Sequence, residues 1–439
     1  MAAVRKITNR AFSVLLIAAM VIFGMTVYLL KYIDHGQEWA LYFSGKNSGA
    51  TGQLVDRNGI MLASFTGEEN LLSPDEATRI ANYHVTGDYF DRTGTGIVPR
   101  FRNDMQNFSI LTGTTHASDS TMVLNIDARL NHLIYSQLSN YEKPGMMMLC
   151  NYRTGELLGM VSTPSLDPEN IGDMDLLPDG VFLNRCLSAA FTPGSIFKLV
   201  TAAAAIENMA DIDSRSFYCE EEDFIAGVPI TCMAAHYTQT FEKALSNSCN
   251  IAFAHIAVDI GQDTLVNYVR QYGFLDSHQL DGLTCIPGSF PVEFVGDPET
   301  GWAGIGQSTD MVCPYSELRF ICAIANGGSL IEPMLIRSEN ARTVQLITPS
   351  TANRLASMMS YNAVDHYDAE NNFPGLNICA KTGTAELGDG DSHSWFVGFL
   401  ADEEHPYAFV TLVERGGFGI TVAGSITNTV LQWAVENIE

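Results

Sequence analysis

From Ala11 to Leu30 the chain runs for twenty residues without a charge. An α-helix needs about 20 residues to cross the apolar core of a bilayer. The competing reading is a cleaved signal peptide, whose apolar core would be about 7–15 residues long and would end at small residues. Here the run closes on Tyr28-Leu-Leu-Lys-Tyr-Ile33, which favours an uncleaved transmembrane anchor over residues 11–33. Arg5, Lys6 and Arg10 precede the run, whereas Asp34 and Glu38 follow it. That bias predicts a single pass through the cell membrane, with a cytoplasmic tail over 1–10 and everything after the helix outside.

The 439 residues leave room beyond the anchor for one large domain and a smaller one. Charged residues are only 17% and strand-like and helix-like patterns alternate throughout, which excludes a disordered chain. A formal net charge of -26 argues against a nucleic-acid partner, because phosphate binding needs basic patches. The acidity reads as a solvated surface. Residues 34–118 are short-patterned and broken by glycines, as at Gly94-Thr-Gly96 and in the stretch 43–49. They predict a small N-terminal pedestal domain without catalytic spacing, ahead of a main domain over 119–439.

In the main domain, Thr121 to Leu138 passes from a strand into an amphipathic helix with Leu130, Leu133, Ile134 and Leu138 on one face. Gly145 to Asn151 and Glu156 to Ser162 read as strands joined by a turn, and Ser214 to Gln239 as irregular. Helices are expected over Ile251 to Tyr272, over Ser316 to Ala325 and from Thr421 to the end. Leu376–Leu387, His393–Leu400 and Tyr407–Glu414 read as three consecutive strands. The fold class is therefore α/β of the α+β type, an antiparallel sheet flanked by helices with the Lys381 strand at or near an edge.

The chemistry begins at Phe191-Thr-Pro-Gly-Ser-Ile-Phe-Lys198. The stretch from Ser195 to Met209 is Ala-rich, has no breaker and is apolar nearly all round, so it predicts a buried helix opening near Ser195. On such a helix the Lys198 amine reaches the Ser195 hydroxyl. A serine is a nucleophile only when a base takes its proton, and an amine is a base only when neutral. Burial or a second cation nearby would lower the Lys198 pKa. The bland alternative is an accidental two-residue pattern, yet of the seven lysines only Lys198 has a serine three positions before it.

Two further stretches bear on that choice. Ser248 and Asn250 lie in Lys243-Ala-Leu-Ser-Asn-Ser-Cys-Asn250 ahead of an apolar run, and Lys381, Thr382, Gly383 and Thr384 lie in a strand-like run. A glycine inside a strand often marks close backbone approach, here read as room for a ligand. An edge strand can pair with an extended peptide, with the Thr382 and Thr384 hydroxyls and the Lys381 charge available to a carboxylate. Ser-x-x-Lys, Ser-x-Asn and Lys-Thr-Gly in this order resemble the motif set of penicillin-binding proteins and serine β-lactamases.

The chain resembles in particular the membrane-anchored, monofunctional (class B) penicillin-binding transpeptidases. Gly52-Gln-Leu-Val-Asp-Arg-Asn-Gly-Ile-Met-Leu-Ala63 is similar to that family's opening segment, with Thr51 where the family has arginine. Arg153 to Ser162, Gly304-Ile-Gly-Gln307 and Ala325-Asn-Gly-Gly328 are similar to later signatures. The resemblance implies a peptidoglycan D,D-transpeptidase in which Ser195, deprotonated by Lys198, attacks the carbonyl between the last two D-alanines of a stem peptide. It implies that the N–H groups of Ser195 and Thr384 hold the oxyanion. Ser248 would relay a proton to the leaving D-alanine with Lys381 in support, and Asn250 would bind the acyl chain's amide. Thr382, Gly383 and Thr384 would line the substrate. β-Lactam antibiotics would stall as acyl-enzymes, and a polytopic glycan polymerase is the implied partner, met through anchor and pedestal.

The same motifs would serve a D,D-carboxypeptidase, a β-lactamase or a β-lactam sensor. The ten residues ahead of the anchor are too few for a signalling domain. A non-catalytic cell-wall scaffold would not need Ser195, Lys198 and Lys381 together. No cofactor is expected. No metal site is expected either, because there is no Cys-x-x-Cys pair and no His-Glu-x-x-His. Of nine cysteines, Cys219 and Cys232 flank a loop and are the pair best placed for a disulfide, while Cys249 reads as a spacer inside Ser-x-Asn.

Overall fold

The computed structural model describes residues 2–36, 52–66, 69–105, 108–109, 113–114, 120–290 and 296–438. The glycine-bearing stretch 43–49 and Thr51 lie outside these. Helix α1 (Ala2–Asp34) contains the uncharged run, and its segment Ile7–Ile33 has a mean hydropathy of 2.4 with no protein packed over it. Among the described residues it is the one helix long and apolar enough to cross a membrane.

Strands β1 (Gly52–Val55), β2 (Met61–Thr66), β3 (Glu69–Leu72) and β4 (Ser120–Val123) form a small sheet in the order β3-β2-β1-β4. The β1–β2 turn is organised by Asp56, whose Oδ1 accepts the N–H groups of Asn58 (2.9 Å) and Ile60 (2.7 Å). Its Oδ2 accepts the Ala128 N–H at 3.0 Å. One carboxylate thus shapes the hairpin and docks it on the start of the next helix. Strand β4, assigned to the main domain, pairs in parallel with β1. Leu54, Leu62, Val85 and Ile97 also share one continuous core with Phe197 and Val200, so the packing does not break at residue 118.

The main sheet uses β5 (Gly145–Asn151) and β6 (Leu157–Thr163); after these comes a separate hairpin of β7 (Glu220–Ile225) and β8 (Val228–Ala235). The last third adds β9 (Ile378–Glu386), β10 (Ser392–Leu400) and β11 (Tyr407–Val413). The sheet is antiparallel in the order β9-β10-β11-β5-β6, which puts the Lys381 strand at an edge. Both faces are buried, which explains why these strands read as nearly unbroken apolar runs. Met146, Met148, Trp395, Val397 and Val410 face one core, while Met147, Leu149, Phe396 and Phe409 face the other. Each strand divides its side chains with a period of two.

On the second face lie helix α2 (Ala128–Ser139), with Leu130, Ile134 and Leu138 buried, and the C-terminal helix Ser425–Asn437. A single π-turn, Ile420–Gly424, precedes that last helix. On the first face lies the helical layer carrying the chemistry: α3 (Lys198–Asn208), α4 (Phe241–Ser246), α5 (Asn250–Ile260) and α6 (Pro314–Ala325). The region 214–239, expected to be irregular, contains the β7–β8 hairpin over residues 220–235. Its strands escaped notice because most of their side chains are exposed and Glu220-Glu-Glu-Asp223 carries no apolar alternation.

Candidate active site

The serine does not sit on the α-helix but on a 3₁₀ turn, Gly194–Phe197, that leads into α3 at Lys198. In a 3₁₀ turn residues i and i+3 eclipse, so the change of helix type brings Ser195 and Lys198 closer in line. Lys198 Nζ lies 3.0 Å from Ser195 Oγ. Gly194 begins the turn with φ +56°, and a Cβ there would stand 2.9 Å from Ala385 Cα. Glycine therefore serves both the backbone bend and the fit against β9. The Trp395 indole N–H donates to Thr192 O at 3.0 Å and fixes the approach to the turn.

Ser248 and Asn250 occupy the junction of α4 and α5. The chain leaves α4 through Ser248, whose φ of +52° lies in the left-handed region. Such a backbone costs a non-glycine residue about 1–3 kcal/mol and persists only where its surroundings fix it. Here the Ser248 N–H donates to Leu245 O at 3.0 Å and the Cys249 N–H to Ala244 O at 2.9 Å. Cys249 then caps α5, its Sγ accepting the Ala252 N–H at 3.4 Å. This double turn aims both polar side chains at one amine.

Lys198 is fully buried. Its Nζ contacts Ser248 O at 2.6 Å, Asn250 Oδ1 at 2.7 Å and Ser248 Oγ at 3.2 Å, besides Ser195. The carbonyl and carboxamide oxygens can only accept, so they take two N–H bonds whether the amine is charged or neutral. The remaining tetrahedral position faces the two hydroxyls. In the neutral amine that position is the lone pair. Burial pulls the Lys198 pKa down to about 8, a penalty on the charged form of about 3 kcal/mol.

Lys381 is also fully buried and donates to Ser248 Oγ and to Thr382 O, each at 3.0 Å. Burial first, then the neighbouring Lys198, holds its pKa well below that of an ordinary lysine. Ser248 thus lies between two amines. Thr382 and Thr384 line a cleft of about 580 Å³ with Ser195, Ser248 and Asn250. The Thr382 N–H donates to Tyr367 Oη at 2.9 Å, away from β10. Because orientation repeats every second residue, Thr384 turns its N–H to the same open edge.

Gly383 also has a packing role. A Cβ on it would meet Pro193 O at 2.9 Å and Ile196 Cγ2 at 3.0 Å, so its bareness lets the serine turn pack on the strand. Asn250 is engaged at both ends, through Lys198 and through Nδ2, which donates to Thr231 O at 2.9 Å. Tyr367 and His366 belong to the cleft without any motif to announce them. Burial, then the Lys381 charge, lowers the His366 pKa.

The cysteine pattern also differs from expectation. Cys219 and Cys232 are both free, as are the other seven. Yet Cys219, Cys232, His236 and Cys249 gather beside the cleft, with all four ligand atoms within 4.8 Å of one another. Their spacing matches no common motif, because the β7–β8 hairpin, the two residues flanking it and the α4–α5 junction assemble them in space.

Comparison with known proteins places this geometry in context. A family model described as the penicillin binding protein transpeptidase domain matches residues 145–432, well over half of the chain. Stage V sporulation protein D of Bacillus subtilis is 28% identical over 347 residues, 71% of this chain and 53% of that protein. Peptidoglycan D,D-transpeptidase PbpA of Mycolicibacterium smegmatis is 27% identical over 319 residues, 64% of each chain. The chain thus spans between about half and two thirds of the length of these relatives. Among solved structures, the D,D-transpeptidase domain of a peptidoglycan glycosyltransferase from Eggerthella lenta superposes with a TM-score of 0.77 at 22% identity, covering 88% of this chain and 99% of that one. Penicillin-binding protein A of M. tuberculosis, solved as a ceftriaxone acyl-enzyme complex, gives 0.73 at 20% identity, covering 88% and 98%. The sheet, the three motifs and the match across most of the main domain lead to one assignment: this chain belongs to the penicillin-binding protein transpeptidase domain family.

Proposed function

We propose that the protein is a peptidoglycan D,D-transpeptidase that works through a Ser195 acyl-enzyme. The observation that carries this reading is the Lys198 amine, buried, 3.0 Å from Ser195 Oγ, with its N–H bonds committed to two pure acceptors. With a pKa of about 8, roughly one amine in ten is neutral at pH 7. That amine takes the Ser195 proton as the hydroxyl attacks the carbonyl joining the last two D-alanines of a stem peptide. The N–H groups of Ser195 and Thr384 receive the oxyanion. Ser248, between Lys198 and Lys381, passes a proton to the departing D-alanine amine. Thr382, Thr384 and the Lys381 charge hold the terminal carboxylate, while the donor strand lies along the open edge of β9. Asn250 holds the base and borders the acyl chain. An amine of a second stem peptide then takes the acyl group and frees Ser195.

β-Lactams enter the same path as donor mimics. The relatives' names and the acyl-enzyme structure of a fold neighbour support this substrate class. Helix α1 serves as the membrane anchor with the remaining chain outside, and a polytopic glycan polymerase is the partner met through anchor and pedestal. Intact mass after penicillin treatment tests the catalytic reading. One added drug mass is expected on the wild-type chain and none on Ser195→Ala. Equal labelling of both, or none on either, would refute it.

A further inference from the structure

The sulfur and imidazole cluster beside the cleft has no part in the chemistry above, and its geometry is specific. Cys232 Sγ lies 3.8 Å from Cys249 Sγ, and His236 Nδ1 lies 3.4 Å from Cys219 Sγ and 3.7 Å from Cys232 Sγ. A tetrahedral zinc ion, with bonds of about 2.3 Å to sulfur and about 2.0–2.1 Å to nitrogen, sets its ligands about 3.8 Å apart for S···S and about 3.6 Å apart for S···N. These three edges of the cluster match that tetrahedron, and the other three are no longer than 4.8 Å. Thiol–imidazole hydrogen bonding would account for one such contact but not for four ligand atoms within 4.8 Å of one another.

The fold brings the ligands together from three places. At the base of the β7–β8 hairpin, Cys219 O accepts the N–H groups of His236 (3.1 Å) and Tyr237 (2.9 Å), which holds positions 219 and 236 side by side. Cys232 comes from β8 and Cys249 from the N-cap of α5. Backbone donors already point at two of the sulfurs: the Asn250 N–H at Cys232 Sγ (3.1 Å) and the Ala252 N–H at Cys249 Sγ (3.4 Å). Such outer contacts orient thiolate ligands and offset their charge.

We propose that Cys219, Cys232, His236 and Cys249 form a structural zinc site that clamps the β7–β8 hairpin to the Ser248–Asn250 turn. Three sulfurs and one nitrogen complete a four-coordinate shell with no open position, so the metal is a clamp and does not activate water. Each cysteine gives up its proton on binding, and the imidazole ligates as the neutral ring through Nδ1. Cys232 is a positioning residue, because Asn250, which holds Lys198, is itself held by the Cys232 sulfur. The site stands independently of the transpeptidase reading.

The test uses the full chain purified in detergent without chelator. Elemental analysis is expected to find about one zinc per chain, and X-ray absorption a first shell of three sulfurs and one nitrogen. Replacing zinc with Co(II) should give thiolate charge-transfer bands and the visible spectrum of a tetrahedral site. His236→Ala and Cys219→Ser should lose the metal, while Cys322→Ala keeps it. Chelation should lower the melting temperature and slow acylation by penicillin, with both restored by zinc. A metal-free wild-type chain, a disulfide among Cys219, Cys232 and Cys249, or a bound metal with an oxygen-rich shell would each overturn the proposal. The wild-type absorption spectrum decides the matter even where a variant fails to fold.

Discussion

Asn250 Oδ1 accepts a hydrogen bond of 2.7 Å from Lys198, while its Nδ2 anchors the same side chain to Thr231 O. The carboxamide is thus a bracket between the β7–β8 hairpin and the buried amine. Asn250→Ala removes an acceptor from a group that is mostly charged at neutral pH, an interaction worth about 1.5–3 kcal/mol. The second-order rate of penicillin acylation should fall about 10–100-fold, read by time-resolved labelling with a fluorescent penicillin. An unchanged rate would remove Asn250 from the machinery.

Lys198 as base predicts a pH dependence with a definite sign. Burial disfavours the ammonium, so the neutral amine is available from about pH 8 upward and becomes scarce below it. Acylation should therefore rise about tenfold per pH unit up to about 8 and then level off. Stopped-flow rates that fall across the same interval would contradict this assignment.

Lys198→Met keeps the length of the side chain and deletes the base. The acylation rate should drop by about 10²–10⁴-fold. Circular dichroism should still show the folded protein, since the substitution relieves the cost of burying a charge while stranding two acceptors. Rates near wild type would require another base.

Gly194→Ala and Gly59→Ala separate backbone strain from crowding. Both glycines have positive φ, but a Cβ at Gly59 meets nothing within 4 Å, whereas one at Gly194 stands 2.9 Å from Ala385 Cα. Gly59→Ala should cost about 1 kcal/mol. Gly194→Ala should cost about 2–4 kcal/mol, because overpacking adds to strain. Urea unfolding midpoints measure the difference, and equal losses would show that the contact with β9 is unimportant.

Tyr367→Phe leaves the Thr382 N–H without its 2.9 Å acceptor and the Thr382 hydroxyl without a neighbour at 3.1 Å. A loss of about 1 kcal/mol is expected, together with a several-fold slower acylation. Labelling kinetics and thermal melts on the same sample check both parts.

What could be read from the residues alone follows the strength of the local pattern. Strands β9 to β11 and the Ser195, Ser248 and Lys381 motifs were visible because apolar runs and short fixed spacings report on neighbours in sequence. The β7–β8 hairpin was not, since Glu220 to Asp223 shows no buried face. At Gly383 the sequence marks a tight approach without saying what approaches, and in the fold Pro193 O is one such group. Tyr367, and the meeting of Cys219, Cys232, His236 and Cys249, depend on contacts between distant elements that no spacing encodes. The pairing of β4 with β1, across more than sixty residues, is hidden from the sequence for the same reason.

Ser195 and Lys198 share one turn of chain, so any shift of that turn carries hydroxyl and amine together. The turn is packed on β9 at Gly194 and Gly383, so a change in that contact moves the pair as one group against the strand and leaves its two halves together. Under the proposed reaction, selection for tolerance of an antibiotic that spares the donor strand would have little to gain inside the pair. It must act on the rim, where wall and strand can be respaced without disarming the reaction.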